Sequence, residues 1–561
     1  MIALDRFILA SLIPGSDNEA AGIPIKCPAH DGPFECPEDR QKNGTGLRDW
    51  RGPGIKENQG KEKGILAFVR DVVAMLIAAK HGDWPAVERA YCPPAPRPQP
   101  RPLKPLALLR TLKRNPLECW AMQHFEEPIV AGGLPIGHAL LVHEPGAIRH
   151  ILLDNATNYR KDHLQRRVLS AGLSEGLLSA EGEQWRLQRR VLAPMFARKT
   201  VMDFTSAMMA AAVLLISRWS GLGDGATIDV AAEMARVTLE VLERTIFSDG
   251  FGSGAETIRI AMATYFTTIG KISPLDILGV PEFVPRLSRL RVRSTLRFFE
   301  GEVDRVISVR RRILAEQPDK APNDVLTHLL EAQDTEDKDG ITESEVRSNI
   351  LTFIAAGHET TANTLSWAMF LLSQSSEWCE RVEAEADREL DGPTNGLADR
   401  LVETRAVIEE AIRLYPPIAA ISRVAIGGDD VNGERVRPGS LIVISPYVLH
   451  RHRLLWDRPD AFDPRRFLGS ARAGIDRFAY LPFGVGPRKC IGSAFALQEA
   501  TLLLAMIAKH FDFQLKPGHE VWPALRVTLR PANGLPMTIR RRTSKPQSAL
   551  DALCSSRGSS A

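Results

Sequence analysis

A single cysteine stands in a glycine-spaced loop near the C-terminal end of the chain, in the sequence FGVGPRKCIG at 483–492. Backbone N–H groups of such a loop can point at the sulfur of Cys490, and the helix-like sequence that follows adds the positive end of a helix dipole. The glycines permit positive φ and the close approach of a flat ligand, and Arg488 can pair with an acidic group on it. From the loop alone, two interpretations stay open: a thiolate ligand to one metal centre, and a buried free cysteine.

Composition narrows the class of protein. The 561 residues are 44% hydrophobic, enough to bury a large core in one domain or several. The 71 basic and 68 acidic side chains nearly balance, which argues against a nucleic-acid partner but allows a local basic patch for an acidic protein. Seven scattered cysteines indicate free thiols in a reducing compartment. No apolar run reaches the roughly 18–20 residues of a transmembrane anchor, and no signal peptide is recognisable, so we expect a cytoplasmic protein.

Sequence character divides the chain into four parts. These are a polar, glycine-rich N-terminal extension at 1–92, a stiff proline-rich linker at 93–102, a densely patterned globular domain at 103–541, and a serine-rich disordered tail at 542–561. Cys27, His30 and Cys36 of the extension permit a zinc site, but no second pair of ligands stands at a usable spacing. The extension is either a regulatory appendage or an over-long start assignment.

The globular part reads as mainly α-helical with a minor β component, an α+β fold. Alternating or continuous apolar runs predict strands at 138–142, 150–153, 440–445 and 527–529. Between them the pattern is helical, with neither the βα alternation of a dinucleotide-binding domain nor an internal repeat.

A long apolar helix is predicted over Ile350–Leu372, after a capping box in Thr342–Glu345. Glu359 and Thr360 lie within it, and a charged side chain in so apolar a helix must be buried near a group that needs it. The small residues Ala356 and Gly357 just before them would let the helix lie close to a flat cofactor.

A threonine hydroxyl in this helix can also open the local helical hydrogen bonding and leave room for water and oxygen. Two simpler alternatives stay open for the helix by itself. Thr360 can bond back to its own turn, and Glu359 can face solvent.

A third group of charged residues follows. Glu410 and Arg413 share one helix face at a spacing of three, just before the sequence Leu-Tyr-Pro-Pro that ends the helix, and Arg466 lies further along in FDPRRF. A pair at this spacing is most often a solvated helix pair, so its position upstream of the second arginine is what distinguishes it.

Taken together, these segments resemble the cytochrome P450 family, soluble bacterial type, with the family's motifs in their usual order over roughly residues 103–541. The resemblance implies the cytochrome P450 fold preceded by an N-terminal extension. It implies haem b (iron protoporphyrin IX) as cofactor, with Cys490 as the axial thiolate ligand of its iron. It puts Glu359 and Thr360 in the roles of proton delivery.

The same resemblance assigns supporting residues. Glu410, Arg413 and Arg466 would form a brace on the proximal side of the haem; Arg465, beside the last of these, stands where the family commonly has glutamate. The other residues implied to bind the cofactor are Trp185, Arg189 and Arg423, which would contact its propionates, together with Arg488 and Phe483 of the cysteine loop.

The implied reaction is insertion of one oxygen atom of O2 into a lipophilic organic substrate. Electrons would come from a ferredoxin- or flavodoxin-type donor with its reductase, docking near Lys489, because the sequence carries no flavin or nicotinamide motif. Phe251–Leu290 would roof the substrate pocket. Alternatives are a peroxide-driven peroxygenase or isomerase, which tends to lack the acid–alcohol pair, and a non-catalytic haem protein that senses gas.

Overall fold

The computed structural model describes residues 91–542, apart from 135–136, 163–174, 249–260, 262–286 and 334–339. Backbone contacts separate Asp17–Cys92 from the remainder of the chain, and every described helix and strand belongs to the unit that contains Pro93–Ala561. Residues 1–90 of the predicted extension, with its possible zinc ligands, the tail from 543, and nearly all of the predicted pocket roof lie outside the described residues. The division into domains therefore stays a prediction.

Helices account for most of the described residues. They are α1 (Pro105–Arg114), α2 (Gln123–Glu126), α3 (Pro145–Arg149), α4 (Gly182–Leu192), α5 (Arg198–Asp203), α6 (Thr205–Ser220), α7 (Val230–Leu242), α8 (Leu287–Glu316), α9 (Val325–Gln333), α10 (Glu343–Leu372), α11 (Ser376–Glu389), α12 (Leu397–Arg400), α13 (Val402–Leu414), α14 (Pro446–Leu449), α15 (Gly469–Gly474) and α16 (Ser493–His510). Short 3-10 turns lie at Pro116–Cys119, Ala156–Asn158, Ala193–Phe196, Pro318–Lys320 and Pro464–Phe467, and π-helical turns at His150–Asp154 and Glu243–Phe247.

The strands are short and form small sheets. They are β1 (Ile129–Leu134), β2 (Gly137–Val142), β3 (Tyr159–Arg160), β4 (Ala226–Asp229), β5 (Ile421–Ala425), β6 (Asp429–Val431), β7 (Glu434–Val436), β8 (Leu441–Ile444), β9 (Phe511–Leu515), β10 (Pro523–Leu525), β11 (Leu529–Pro531) and β12 (Pro536–Arg541). The largest sheet has the order β1-β2-β8-β5-β3, in which β2 and β8 run parallel and the other neighbours antiparallel. The mainly helical fold with a minor β component is confirmed.

Helix α10 is the central element of the helical part. Its capping box is present: the Thr342 side chain accepts from the backbone N–H of Glu345, and the Glu345 carboxylate accepts from the N–H of Thr342. The helix packs against α7, α13, α16 and β11, and its apolar side chains are buried on nearly every side. That all-round burial is why Glu359 is the one acidic or basic side chain of the predicted range Ile350–Leu372, apart from His358.

The prediction of a strand at 150–153 is wrong. The chain there continues α3 as a π-helical turn, because Pro145 begins α3 and the Glu144 carboxylate accepts from the N–H groups of Gly146 and Ala147. The residues of this turn are apolar because Ile151 and Leu152 are buried beneath the large sheet. Burial of a short apolar run does not by itself separate strand from helix.

The proline-rich segment at 93–102 is attached to the domain along its length. The Tyr415 hydroxyl donates to the carbonyl of Pro94 at 2.7 Å. The N–H of Gln99 donates to the carbonyl of Trp120 at 2.8 Å, and the carbonyl of Gln99 accepts from Met122 at 2.9 Å. These bonds hold the segment as part of the folded surface instead of a free spacer.

Among the helices of the described ranges, none combines the length and apolar character that crossing a bilayer requires. The predicted cytoplasmic location stays a prediction.

Candidate active site

Backbone hydrogen bonds shape the cysteine loop. Gly484 and Gly486 both adopt positive φ, +67° and +76°. The N–H of Lys489 donates to the carbonyl of Gly486 at 3.1 Å, and the N–H of Cys490 donates to the carbonyl of Phe483 at 2.9 Å. These bonds fix the direction in which the cysteine side chain leaves the loop.

Position 486 must be a glycine because another segment of the chain lies directly against it. A Cβ atom at this position would lie 1.9 Å from the backbone carbonyl oxygen of Leu152, in the π-helical turn. That oxygen belongs to backbone and cannot swing away, so any side chain would separate the loop from the turn. The prediction that the loop's glycines admit a flat ligand does not explain this residue, whose close neighbour is the chain itself.

Cys490 is accessible but surrounded. The residue is exposed, yet the protein atoms around it raise the pKa of its thiol by burial, against a hydrogen bond from Gly492 and the charges of Arg189 and Lys489. The thiol can therefore be reached by a ligand although many protein atoms lie around it. Gly492 is also the residue that caps the N-terminus of α16, so the predicted hydrogen bond and helix start are both present. Binding of a metal cation would deprotonate this thiol outright.

A cluster of cations lies beside the thiol. The guanidinium of Arg488 lies over the indole of Trp185, 4.0 Å from the ring centroid, and donates to the Glu181 carboxylate at 3.0 Å. Arg189 donates to the carbonyl of Lys489, 2.8 Å away, which brings α4 against the cysteine loop. Burial, together with the charges of Arg423 and Arg189, lowers the pKa of Arg488 to about 10. The structure thus brings the three residues predicted to contact propionates, Trp185, Arg189 and Arg423, to the neighbourhood of the loop.

Sequence reasoning missed one member of this cluster. The ammonium of Lys161 donates to the carbonyl of Leu178 at 2.6 Å and lies 3.5 Å from the Glu181 carboxylate. Its pKa is lowered to about 8 by burial and by Arg488 and Arg423. Lys161 follows a two-residue strand, and no motif in the sequence distinguishes it from a surface lysine.

The cations of this cluster outnumber the acids that accompany them. Among the described residues, Glu181 interacts with Lys161, Arg423 and Arg488, and Asp162 interacts with Arg423. Crowded cations of this kind are stabilised by a further anion, because each disfavours the charge of its neighbours. The cluster is therefore suited to a ligand that carries carboxylates.

Thr360 bonds back to its own helix. Its hydroxyl donates to the carbonyl of Ala356, 2.8 Å away, and α10 continues through this point without interruption. The predicted opening of the helix is absent, and the simpler alternative for the hydroxyl is what the structure has. Ala356 is nevertheless the one exposed residue between Glu345 and Leu372, so this turn borders open space within an otherwise buried helix.

Glu359 does not face solvent freely. Its side chain is only 12% exposed, and burial raises the pKa of the carboxyl, while Thr528 and Arg530 oppose that shift. The neighbouring Gly357 packs against α7, since a Cβ there would lie 3.0 Å from a methyl carbon of Leu242. Of the two small residues expected to face a cofactor, only Ala356 borders open space.

The predicted brace is assembled: Glu410 and Arg413 are fully buried, and the Arg466 side chain is nearly so. Arg413 donates from Nε and Nη2 to the two carboxylate oxygens of Glu410, at 2.6 and 2.8 Å. The remaining guanidinium protons go to the carbonyls of His450, Pro459 and Ala461. Arg466 lies 3.7 Å from Glu410 and donates to the carbonyl of Arg458. Arg465 points elsewhere and pairs with Glu377 at 2.6 Å, so its departure from the family's usual glutamate leaves the brace intact.

Helix packing connects the two halves of the candidate site. α10, which carries Glu359 and Thr360, lies against α16, which begins just after Cys490. Hydrogen bonding from Thr361 of α10 lowers the pKa of the Glu499 carboxyl of α16, against a larger rise that burial causes. Within the described residues, no group of three or more His, Cys, Asp or Glu side chains could hold a metal ion, so Cys490 offers a metal a single thiolate. One accessible thiol, a cation cluster and an exposed turn of α10 fit haem b, which brings its own four nitrogen ligands and two carboxylates.

Comparisons with known proteins agree with this arrangement. A profile of the cytochrome P450 family matches residues 93–537. Cyclooctatin synthase of Streptomyces melanosporofaciens is 31% identical over 442 residues, which cover 73% of this chain and 95% of that protein. Cyclooctat-9-en-7-ol 5-monooxygenase of the same organism is 32% identical over 410 residues, covering 72% and 87%. The crystal structure of the cytochrome P450DA heme domain superposes with a TM-score of 0.69 at 24% identity, covering 80% of this chain and 98% of that one, and so supports the fold.

The protein is a haem-binding oxidoreductase of mainly helical fold. The chain belongs to the cytochrome P450 family, whose members bind haem b, use O2 and redox partners, and are typically monooxygenases. The resemblance found in the sequence is confirmed, together with the fold and the cofactor.

Proposed function

We propose that the chain is a monooxygenase that inserts one oxygen atom of O2 into a lipophilic organic substrate, with electrons from a separate protein. The observation that carries the proposal is the exposed turn of α10, where a nearly buried carboxyl at Glu359 adjoins the hydroxyl of Thr360. Haem, when bound, supplies the activation of O2, and release of the second oxygen atom as water consumes protons that the protein must deliver.

Each residue of the site has a part in this proposal. Cys490 would ligate the haem iron. Arg488 and Lys161, which pair with Glu181 in the structure, would pair with the carboxylates of the haem, while the Glu410–Arg413 pair would hold the proximal side of the domain rigid. The other residues proposed to contact the cofactor are Trp185, Arg189, Arg423 and Phe483.

Proton delivery would need one local rearrangement. The Thr360 hydroxyl donates to the carbonyl of Ala356, so it would have to turn from that carbonyl to donate a proton into the open space beside this turn. The Glu359 carboxyl, whose pKa burial raises, can hold a proton nearer to neutral pH than an exposed glutamate does. We assign Glu359 to resupplying the proton that Thr360 passes on.

The electron donor would dock on the side of the cysteine loop. Lys489 is exposed beside Cys490, and Arg186 is exposed on α4 close to the same loop. Exposed cations attract an acidic ferredoxin or flavodoxin and speed its association. Reversing the charge at Lys489 should slow reduction of the iron by ferredoxin at low ionic strength; an unchanged rate would contradict this docking site.

Lipophilic substrates are supported by two relatives, named for cyclooctatin synthesis and for oxidation of cyclooctat-9-en-7-ol. We infer an apolar organic compound for this chain as well. Absorption titrations of the purified haem protein with fatty acids, terpene alcohols and steroids would show which class shifts the haem spectrum. Failure of all three classes to shift it would contradict a lipophilic substrate.

Thr360→Ala tests the assigned reaction. The variant is combined with ferredoxin, its reductase, NADPH and a ligand from the titrations, and the peroxide formed per NADPH consumed is measured. We expect roughly a tenfold or greater rise in the peroxide yield, because proton delivery to oxygen is impaired. Thr364→Ala is the matched control, since its hydroxyl makes the same bond to the carbonyl four residues earlier.

The same assay separates the alternatives. A peroxide-driven enzyme would turn over with added hydrogen peroxide and without NADPH, and a gas sensor would consume neither. An unchanged peroxide yield in Thr360→Ala would contradict the role assigned to this hydroxyl.

A further inference from the structure

Two residues of the C-terminal hairpin, formed by the antiparallel strands β10 and β11, lie near Glu359 of α10. Thr528 immediately precedes β11 and Arg530 lies within it, and both act on the carboxyl of Glu359. The Arg530 guanidinium lies 3.9 Å from Oε1 of Glu359. Hydrogen bonding from Thr528 favours the ionised form of the same carboxyl.

The hydrogen-bond directions fix what Thr528 can do. Its oxygen accepts from the amide nitrogen of Asn363 at 3.0 Å, and Asn363 lies one helical turn beyond Glu359 on α10. A hydroxyl has one proton to donate, and the accepted bond leaves that proton for the Glu359 carboxyl. The second carboxyl oxygen, Oε2, is buried and has no hydrogen-bond partner within the described ranges.

The hairpin is anchored where these contacts are made. The indole N–H of Trp367 donates to the carbonyl of Leu529 at 3.3 Å, and the N–H of Leu529 donates to the carbonyl of Pro417 at 3.0 Å. Leu529 lies between the two residues that face Glu359. Anchoring of this residue by its backbone holds both side chains at a defined distance from α10.

Among the described residues, few charges lie near Glu359. On α10 itself His358 is buried beside it; α7 presents Leu242 to this turn, and α16 presents Glu499 towards Thr361, two positions beyond Glu359. Arg530 is the cation that acts on the Glu359 carboxyl. Its side chain is 37% exposed, so it reaches from the buried carboxyl to solvent.

We propose that Arg530 and Thr528 are positioning residues that govern when Glu359 holds its proton, and that Arg530 forms the solvent end of the path by which that proton is replaced. The proposal rests on the proposed function, in which Glu359 resupplies protons. Arg530 favours the carboxylate, burial favours the protonated acid, and the opposition of the two keeps the group able to change state during turnover.

Infrared titration of the ferric holoprotein tests the link directly. The C=O stretching band of the protonated Glu359 carboxyl is assigned by its absence in Glu359→Gln, and its midpoint is measured against pH. In Arg530→Gln we expect the midpoint to move upward by roughly half to one pH unit, because a partly exposed cation has been removed. Arg530→Lys keeps the positive charge, so its midpoint should lie close to that of the parent protein. Arg540→Gln, at an exposed arginine on β12, is the matched control and should leave the midpoint unchanged.

Thr528→Val provides a second variant, which removes the hydroxyl at nearly constant volume. It too should move the midpoint upward, so the proposal stays testable if Arg530→Gln does not fold. Midpoints in both variants that match the Arg540→Gln control would overturn the proposal.

Failure of this proposal can be told from failure of the proposed function. Chemically reduced holoprotein is mixed with dissolved O2 at several pH values, and peroxide release is measured. If Glu359→Gln leaves peroxide release unchanged at every pH, Glu359 is not the proton source and the proposed function is wrong in that respect. If Glu359→Gln raises it but Arg530→Gln neither raises it nor alters its pH dependence, the proton source stands and the role of Arg530 falls.

Discussion

Two buried glutamates on packed helices, Glu410 on α13 and Glu359 on α10, differ in how their charge is met. The carboxylate of Glu410 receives two bonds from Arg413 and one from the N–H of Asp463, and neither side chain of the ion pair is exposed. Glu359 has one cation, Arg530, at 3.9 Å, and one carboxyl oxygen without a partner among the described residues. The first arrangement is saturated and the second is incomplete.

The difference separates a structural charge from a charge that can change. A buried ion pair with every proton and lone pair engaged tolerates neither loss of charge nor movement, because either leaves a buried charge unpaired. Burial raises the pKa of the incompletely paired carboxyl of Glu359, so it keeps its proton to a higher pH than an exposed glutamate does. The comparison predicts that identical substitutions at the two glutamates will have very different effects.

Glu410→Gln should have the largest effect. The substitution leaves the buried guanidinium of Arg413 without its counter-charge, and we expect a loss of about 3–5 kcal/mol in the free energy of unfolding. Urea unfolding followed by circular dichroism measures this loss, and retention of haem by the purified variant gives a second readout.

Arg465→Ala is the control for that experiment, since Arg465 pairs with Glu377 at the exposed surface nearby. It should cost at most about 1 kcal/mol. Equal losses in the two variants would show that burial and saturation of the pair do not matter.

Gly486→Ala tests whether the cysteine loop is held as rigidly as the Glu410–Arg413 pair. The added Cβ would meet the backbone oxygen of Leu152 in a conformation with positive φ. We expect destabilisation of about 1–3 kcal/mol and faster loss of haem. Gly301→Ala, at an exposed helical glycine with open space around it, should instead stabilise the chain by about 0.5–1 kcal/mol. A neutral Gly486→Ala would mean that the loop and the π-helical turn can separate freely.

The saturated side of the molecule was the easier to predict from the sequence. Motifs such as the cysteine loop and the Glu410–Arg413 spacing place residues within a few positions of one another, so local geometry fixes their relation. The long helix α10 was likewise predictable, because its capping box and apolar character are both local. These are features whose partners lie close along the chain or are implied by the family's motifs.

The surroundings of Glu359 and of the cation cluster were harder to predict, because they depend on partners far apart in the sequence. Lys161 joins the cation cluster, and Arg530 faces Glu359, only because the fold brings distant segments together, and neither stands in a pattern that points to its partner. The prediction of a strand from the apolar residues at 150–153 was wrong for a related reason. Their burial is real, but the capped start of α3 decides that they are helical.

A third buried glutamate, Glu499 on α16, is paired less completely than Glu410 or Glu359, and Glu499→Gln tests the consequence. Burial raises the pKa of this carboxyl well above its usual value, and neither oxygen has a hydrogen-bond partner that meets ordinary limits within the described residues. When folding raises the pKa of a carboxyl, the free energy of unfolding of the protein falls as pH rises from about 4.5, the pKa in the unfolded chain, towards the pKa in the folded chain. The Gln variant lacks that loss, so its stability relative to the parent should increase by on the order of 1 kcal/mol or more between pH 5 and pH 8. A difference that is constant with pH would show that Glu499 is ionised in the folded chain.

Glu359→Gln should have the smallest effect on folding. The amide keeps the shape of the side chain, and the interaction lost is with one partly exposed arginine at 3.9 Å, so we expect unfolding to change by no more than about 1 kcal/mol at neutral pH. Any pH dependence should have the same sign as for Glu499→Gln but a smaller size, because Thr528 and Arg530 oppose the effect of burial on the pKa of Glu359. Urea unfolding at pH 5 and pH 8, beside Glu410→Gln, measures both. A loss as large as that of Glu410→Gln would mean that Glu359 is a saturated structural charge, and the distinction between the two regions would fail.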